Sequence, residues 1–138
     1  MLDENAYSNA AFDGHLKVVK YLREQLGVSG NKYTCANAAL NGHLDVLKYA
    51  RGQGCPWNTY TCANAALNGH LNVLKYARGQ GCPWNGYTCA SAAENGHLNV
   101  LKYAREYGCP WDKWTCAYAA DENGHLEVLK YVREQECP

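Results

Sequence analysis

The sequence is short of several things that would each announce a protein class. Its 138 residues hold one methionine, one phenylalanine and four prolines, and only three serines, Ser8, Ser29 and Ser91. No apolar run approaches the ~20 residues that a membrane-crossing helix needs. Neither sign of charge is in excess. Thirteen basic side chains face thirteen acidic ones, which argues against a protein whose main work is coating nucleic acid or an acidic membrane. Runs of like charge are short and 47% of residues are apolar, so wholesale disorder is not expected. The opening residues, MLDENAYSNA, are acidic and polar where an export signal is basic and then apolar. Eight cysteines fall below the ~8–10% typical of a disulfide scaffold. Without an export signal they are expected to be reduced thiols in an intracellular, cytoplasmic protein.

The parts of an active site are scarce as well. No serine stands in a recognisable nucleophile context, and the glycines never form a phosphate-cradling loop. The five histidines recur at equivalent places, whereas an active site needs one place to break the pattern. The expectation is a protein that is not an enzyme and carries no cofactor.

What is present is repetition, the feature to be sought first. The tripeptide GHL recurs with its histidine at His15, His43, His70, His97 and His125, at spacings of 28, 27, 27 and 28 residues. TCA begins at Thr34, Thr61, Thr88 and Thr115, and GCPW at Gly54, Gly81 and Gly108. From Thr34 to Asn58 and from Thr61 to Asn85 the copies differ only at Asp45 versus Asn72. Five units are expected, at about 1–29, 30–56, 57–83, 84–110 and 111–138, forming one domain.

Each unit reads as two short helices. In the third, Asn58 is an N-cap, matched by Asn31, Asn85 and Asp112 in the others. Trp57 before the cap and Cys62 at the fourth helical position have the spacing of a hydrophobic staple. Helix A runs to about Asn68, where Gly69 supplies a left-handed stop. Helix B runs from His70 to Gln80, with Gly81 after it. The 3.6-residue period puts Cys62, Ala65 and Ala66 on the buried side of helix A, and His70, Val73, Leu74 and Ala77 on that of helix B. Helices of about ten residues do not stand alone, so the units must bury a shared core by stacking. The expected fold is an all-α solenoid of ten short helices.

The unit TCANAALNGHLDVLKYARGQGCPWN resembles an ankyrin repeat, whose signature is TPLHxAAxxGHxxVVxxLLxxGAxxN. The matching residues in one unit are Thr61, Ala65, Ala66, Gly69, His70, Val73, Leu74, Lys75, Gly81 and Asn85. The resemblance runs through the whole chain. The unit is about six residues shorter than the usual 33, and the missing residues fall where the family makes its β-hairpin finger. The histidine of TPLH has no counterpart, since Ala63 or Asn64 stands there. The resemblance implies paired helices with the helix A side lining a concave surface on which a protein partner is bound.

That side is where the copies differ. Tyr60, Asn64 and Leu67 lie at i, i+4 and i+7 opposite the Cys62/Ala65/Ala66 face. Their counterparts are Tyr33, Asn37 and Leu40, then Tyr87, Ser91 and Glu94, then Trp114, Tyr118 and Asp121. These twelve residues are the candidate protein-binding surface; the bland reading is that the same stripe packs helix A on helix A. The favoured function is a non-enzymatic scaffold, monomeric, binding another protein. The alternative is a structural or designed, consensus-like array, or part of a longer one, with no partner of its own.

Two further patterns need a reading. Each complete unit offers two cysteines and a histidine, as in Cys55, Cys62 and His70, three-quarters of a zinc site. Six residues between the cysteines and seven before the histidine is not the tight spacing of metal ligands, and a buried thiol serves as a small hydrophobe. No metal is expected. Lys48, Lys75, Lys102 and Lys130, with Arg51, Arg78, Arg105 and Arg133, form two rows along helix B. The expectation is a solvated lysine row, with arginine stems lying over the core edge against tryptophan. A nucleic-acid role is the lesser reading, although residues 31–84 hold five basic side chains against one acidic.

Overall fold

The computed structural model describes residues 4–119, 125–135 and 137, with the side chains of Glu4, Tyr118 and Ala119 outside that description. The described residues form ten helices and no strand: α1 Glu4–Phe12, α2 Leu16–Glu24, α3 Lys32–Leu40, α4 Leu44–Gly52, α5 Thr59–Leu67, α6 Leu71–Gly79, α7 Gly86–Glu94, α8 Leu98–Glu106, α9 Lys113–Ala119 and α10 Leu126–Glu134. The odd-numbered elements are the A helices of the five units and the even-numbered ones the B helices.

Boundaries follow from local chemistry. The side chains of Asn31, Asn58 and Asn85 accept from the amides of Tyr33, Tyr60 and Tyr87 at 2.9, 2.9 and 3.0 Å, and Asp112 does the same for Trp114 at 2.9 Å. Each cap satisfies a donor that the first helical turn leaves open. Helix A ends at Asn41, Asn68 and Asn95 in the three middle units, and the glycine after each takes a φ of +74 to +75°. The amide of the following histidine bonds back into helix A, as from His70 to Ala65 at 2.8 Å.

Packing runs along the chain. Each A helix packs on the next, α1 on α3, α3 on α5, α5 on α7 and α7 on α9, and each also packs on its own B helix. Cys62, Ala65 and Ala66 are fully buried, as are Val73, Leu74 and Ala77, with the same positions filled alike in the neighbouring units. Alanine, cysteine and threonine on the inner side of helix A let the helices approach closely. Trp57, expected to staple onto Cys62, packs edge-on to Tyr76 of helix B at 6.4 Å between ring centres.

Histidine and glycine of the GH step meet between units. An added Cβ at Gly42 would stand 2.6 Å from Nδ1 of His70, and one at Gly69 would stand 2.5 Å from that of His97. The rings of His43, His70, His97 and His125 therefore lie on the bare backbone of the preceding unit, and glycine is required there both for its dihedral and for the space.

Candidate functional site

The N-cap that starts each A helix also aims its aromatic residue. Because the cap binds the aromatic residue's own amide, the ring projects from the first turn, away from the buried Cys/Ala side. Tyr33, Tyr60, Tyr87 and Trp114 are 57%, 65%, 70% and 59% exposed. They recur once in each of the second to fifth units, and the core keeps none of them.

Clefts separate the rungs. One of about 390 Å³ lies between Tyr33 and Tyr60, one of about 420 Å³ between Tyr60 and Tyr87, and one of about 560 Å³ between Tyr87 and Trp114. The alanines Ala36, Ala63 and Ala90 line them, with Asn37, Asn64 and Ser91 at the sides. The last cleft also carries Asp112. Together they make a shallow ribbed groove whose ribs are aromatic and whose sides are amides and hydroxyls, with Lys32 in the first cleft and Asp112 in the last.

The second row of the candidate surface has another use. Asn64 donates from Nδ2 to the carbonyl of Ala36 at 3.1 Å, and Asn37 to that of Ser8 at 3.3 Å. Asn68 and Asn41 make the same kind of bond one turn on, to Leu40 and Phe12 at 2.6 and 2.8 Å. These amides clamp one A helix to the next. The ladder changes at the fourth unit, where Ser91 replaces asparagine and Asn95 bonds to Ser91 within its own helix at 3.0 Å. Leu40 and Leu67 are half-buried and Glu94 is exposed. The side chain of Tyr118 and the whole of Asp121 lie outside the described residues. The clamp went unanticipated because its acceptors are carbonyls 28 or 29 residues away; the recurrence of asparagine at a fixed place in the unit was the one available signal.

The basic rows of helix B are engaged inside the array. The ammonium groups of Lys20, Lys48, Lys75 and Lys102 lie 5.5–5.7 Å over the rings of Tyr49, Tyr76, Tyr103 and Tyr131, each in the next unit. Arg51, Arg78 and Arg105 stack on Trp57, Trp84 and Trp111 at 4.1–4.2 Å, as expected from sequence. Each of these guanidinium groups also donates to the carbonyl of the connector cysteine, at 2.6 Å in the case of Arg78 and Cys82. A cation seated on an aromatic face is a packing element.

Six cysteines are free and buried, but Cys116 and Cys137 are joined as a disulfide with 6.1 Å between their Cα atoms. The expectation of eight reduced thiols is therefore corrected at that pair. The reason is geometric: the unit brings the helix A cysteine beside the connector cysteine, and in the last unit both are only half-buried. In the enclosed pairs the helix thiol donates to its neighbour, which pushes Cys62 and Cys89 up and holds Cys82 and Cys109 below the ordinary thiol value. Burial pushes Cys35 up to about 12. Among the described residues no group of three or more His, Cys, Asp or Glu is placed to hold a metal ion, and no helix is long and apolar enough to cross a membrane.

Compared with models of known protein families and with curated proteins, the chain matches none.

Proposed function

We propose that the chain is a non-enzymatic, ankyrin-like α-solenoid that binds another protein along the ribbed groove of its A helices. The observation that carries this reading is the exposure of Tyr33, Tyr60, Tyr87 and Trp114 in one row, each more than half open to solvent. A regular row of exposed aromatic rings costs solubility and adds nothing to the core, and such rings are the anchors that protein interfaces favour. Clefts on both sides of Tyr60 and of Tyr87 give a partner's side chains somewhere to go. The carrying residues are the aromatic row with Leu40, Leu67, Ser91 and Glu94 beside it; Asn37 and Asn64 act mainly as the clamp. Those clamps, with the near-identity of the central units, favour the second reading, a structural array with no partner of its own.

The experiment is affinity capture from cell lysate with the wild-type chain and with the Tyr60→Ala/Tyr87→Ala/Trp114→Ala variant. A partner retained by the wild type and lost by the folded variant is the expected result. Equal retention by both sends binding elsewhere.

A further inference from the structure

Two pairs of thiols in the middle of the array stand where the fifth unit carries a disulfide. Each unit from the second onward places one cysteine on helix A and one in the connector after helix B. They are 20 residues apart in the pairs Cys62–Cys82 and Cys89–Cys109 and 21 apart in the bonded Cys116–Cys137. The surroundings match as well. Sγ of Cys82 lies 3.4 Å from the carbonyl oxygen of the cap Asn58, that of Cys109 lies 3.3 Å from Asn85, and that of Cys137 lies 3.9 Å from Asp112. In the bonded pair this frame leaves 6.1 Å between Cα atoms, inside the window of about 4.4–6.8 Å that a disulfide spans.

The two unbonded pairs are already in contact. The Cys62 thiol donates to Sγ of Cys82 and the Cys89 thiol to Sγ of Cys109, and all four residues are fully buried. That hydrogen bond, against the opposing effect of burial, holds Cys82 and Cys109 below the ordinary thiol value; Arg51 and Arg78 add to it at the first and Arg105 at the second. The thiolate is the nucleophile of sulfur chemistry, so each pair sets an attacking sulfur beside a second thiol. The connector cysteine lies outside any helix, and a short connector opens without a helix having to melt. In the second unit Sγ of Cys55 instead lies against the bare Cα of Gly30 and accepts from that residue's amide.

We propose that Cys62–Cys82 and Cys89–Cys109 are peroxide-sensitive dithiols that close to disulfides within their units. The oxidant is a hydroperoxide, and hydrogen peroxide is small enough to enter when the connector opens. The Cys82 sulfur attacks one peroxide oxygen, the O–O bond breaks, and the departing hydroxide takes up a proton as water, leaving a sulfenic acid. The Cys62 sulfur gives up its proton, attacks the sulfur of Cys82 and expels the sulfenic oxygen as a second water. Two thiols are thus oxidised by two electrons to one disulfide, and one hydrogen peroxide is reduced to two waters. Cys89 and Cys109 take the same roles in the fourth unit. Each bond ties the first turn of an A helix to the connector that leads to the next unit's cap. The proposal is independent of the groove on the A helices.

Treatment of the folded chain with hydrogen peroxide, then alkylation, proteolysis and mass spectrometry, tests it. The chain is expected to lose two hydrogens per new bond and to yield peptides joined Cys62 to Cys82 and Cys89 to Cys109, parted again by dithiothreitol. In Cys62→Ala the resolving sulfur is gone, so Cys82 is expected to stop at the sulfenic acid and to be captured by dimedone. Cys62→Val is the reserve variant should alanine lower the melting temperature. Cys62 and Cys82 recovered singly alkylated from the treated wild type overturn the proposal, as do bonds that join either of them to a cysteine of another pair. A Cys82 that takes no dimedone in either variant overturns its assignment as the attacking sulfur.

Discussion

Gly42 and Gly69 meet two demands at once, a φ of +74° and the ring of the next unit's histidine against the bare Cα. Left-handed backbone costs a side chain on the order of 1–2 kcal/mol, and displacing a packed ring adds to it. Gly69→Ala is expected to lower stability by about 2–4 kcal/mol in urea denaturation. Gly79 is the control: it lies inside α6 and an added Cβ meets nothing within 4 Å. Gly79→Ala should raise stability by about 0.5–1 kcal/mol. The thiol of Cys35 offers a test by pH. Its folded value of about 12 stands above the ordinary 9.0, so the folded state holds the proton more tightly. The stability this gives is full below pH 9 and is lost as pH rises toward 12. Melting temperature is expected to fall less over that window in Cys35→Ala than in the wild type.

At the scale of the helix, the stack is tied by two kinds of polar contact of unequal weight. The Arg78 guanidinium stacks on Trp84 at 4.2 Å and donates to a half-buried carbonyl, so Arg78→Ala should cost about 2 kcal/mol. Lys75 has only its exposed seat on Tyr103 at 5.7 Å, and Lys75→Ala should change stability by no more than about 0.5 kcal/mol. The asparagine clamp predicts a gain as well as a loss. Asn64→Ala removes the bond to Ala36 and is expected to cost about 1 kcal/mol, whereas Ser91→Asn restores the missing rung toward Ala63 and should return about 0.5–1 kcal/mol. Much at this scale was legible in the sequence. Helix B, expected over His70–Gln80, spans Leu71–Gly79 with those two residues as its caps, because the GH step and the following glycine carry their own backbone demands. The buried faces also follow from period alone. The clamp and the Cys116–Cys137 bond were not legible, because each pairs groups on different elements and depends on how closely the helices approach.

Across the whole molecule, the main helix contacts among the described residues run within a unit or between adjacent units, so stability is expected to accumulate interface by interface. The inner faces repeat almost without change, the B helices use their cations to hold the next unit, and the aromatic rungs of the A helices face outward. From the sequence, Tyr60 and its counterparts read as binding residues on the side opposite the buried face, with packing of helix A on helix A as the alternative; periodicity gives the side but not the exposure, which is more than half for each ring. The melting temperature of the Tyr60→Ala/Tyr87→Ala/Trp114→Ala variant tests the choice between the two most directly. Side chains that are 65%, 70% and 59% exposed give the core little, and alanine suits a first helical turn. The variant should therefore melt within about 2 °C of the wild type. A fall of about 10 °C or more would show that the rungs hold the stack together, and would contradict the account.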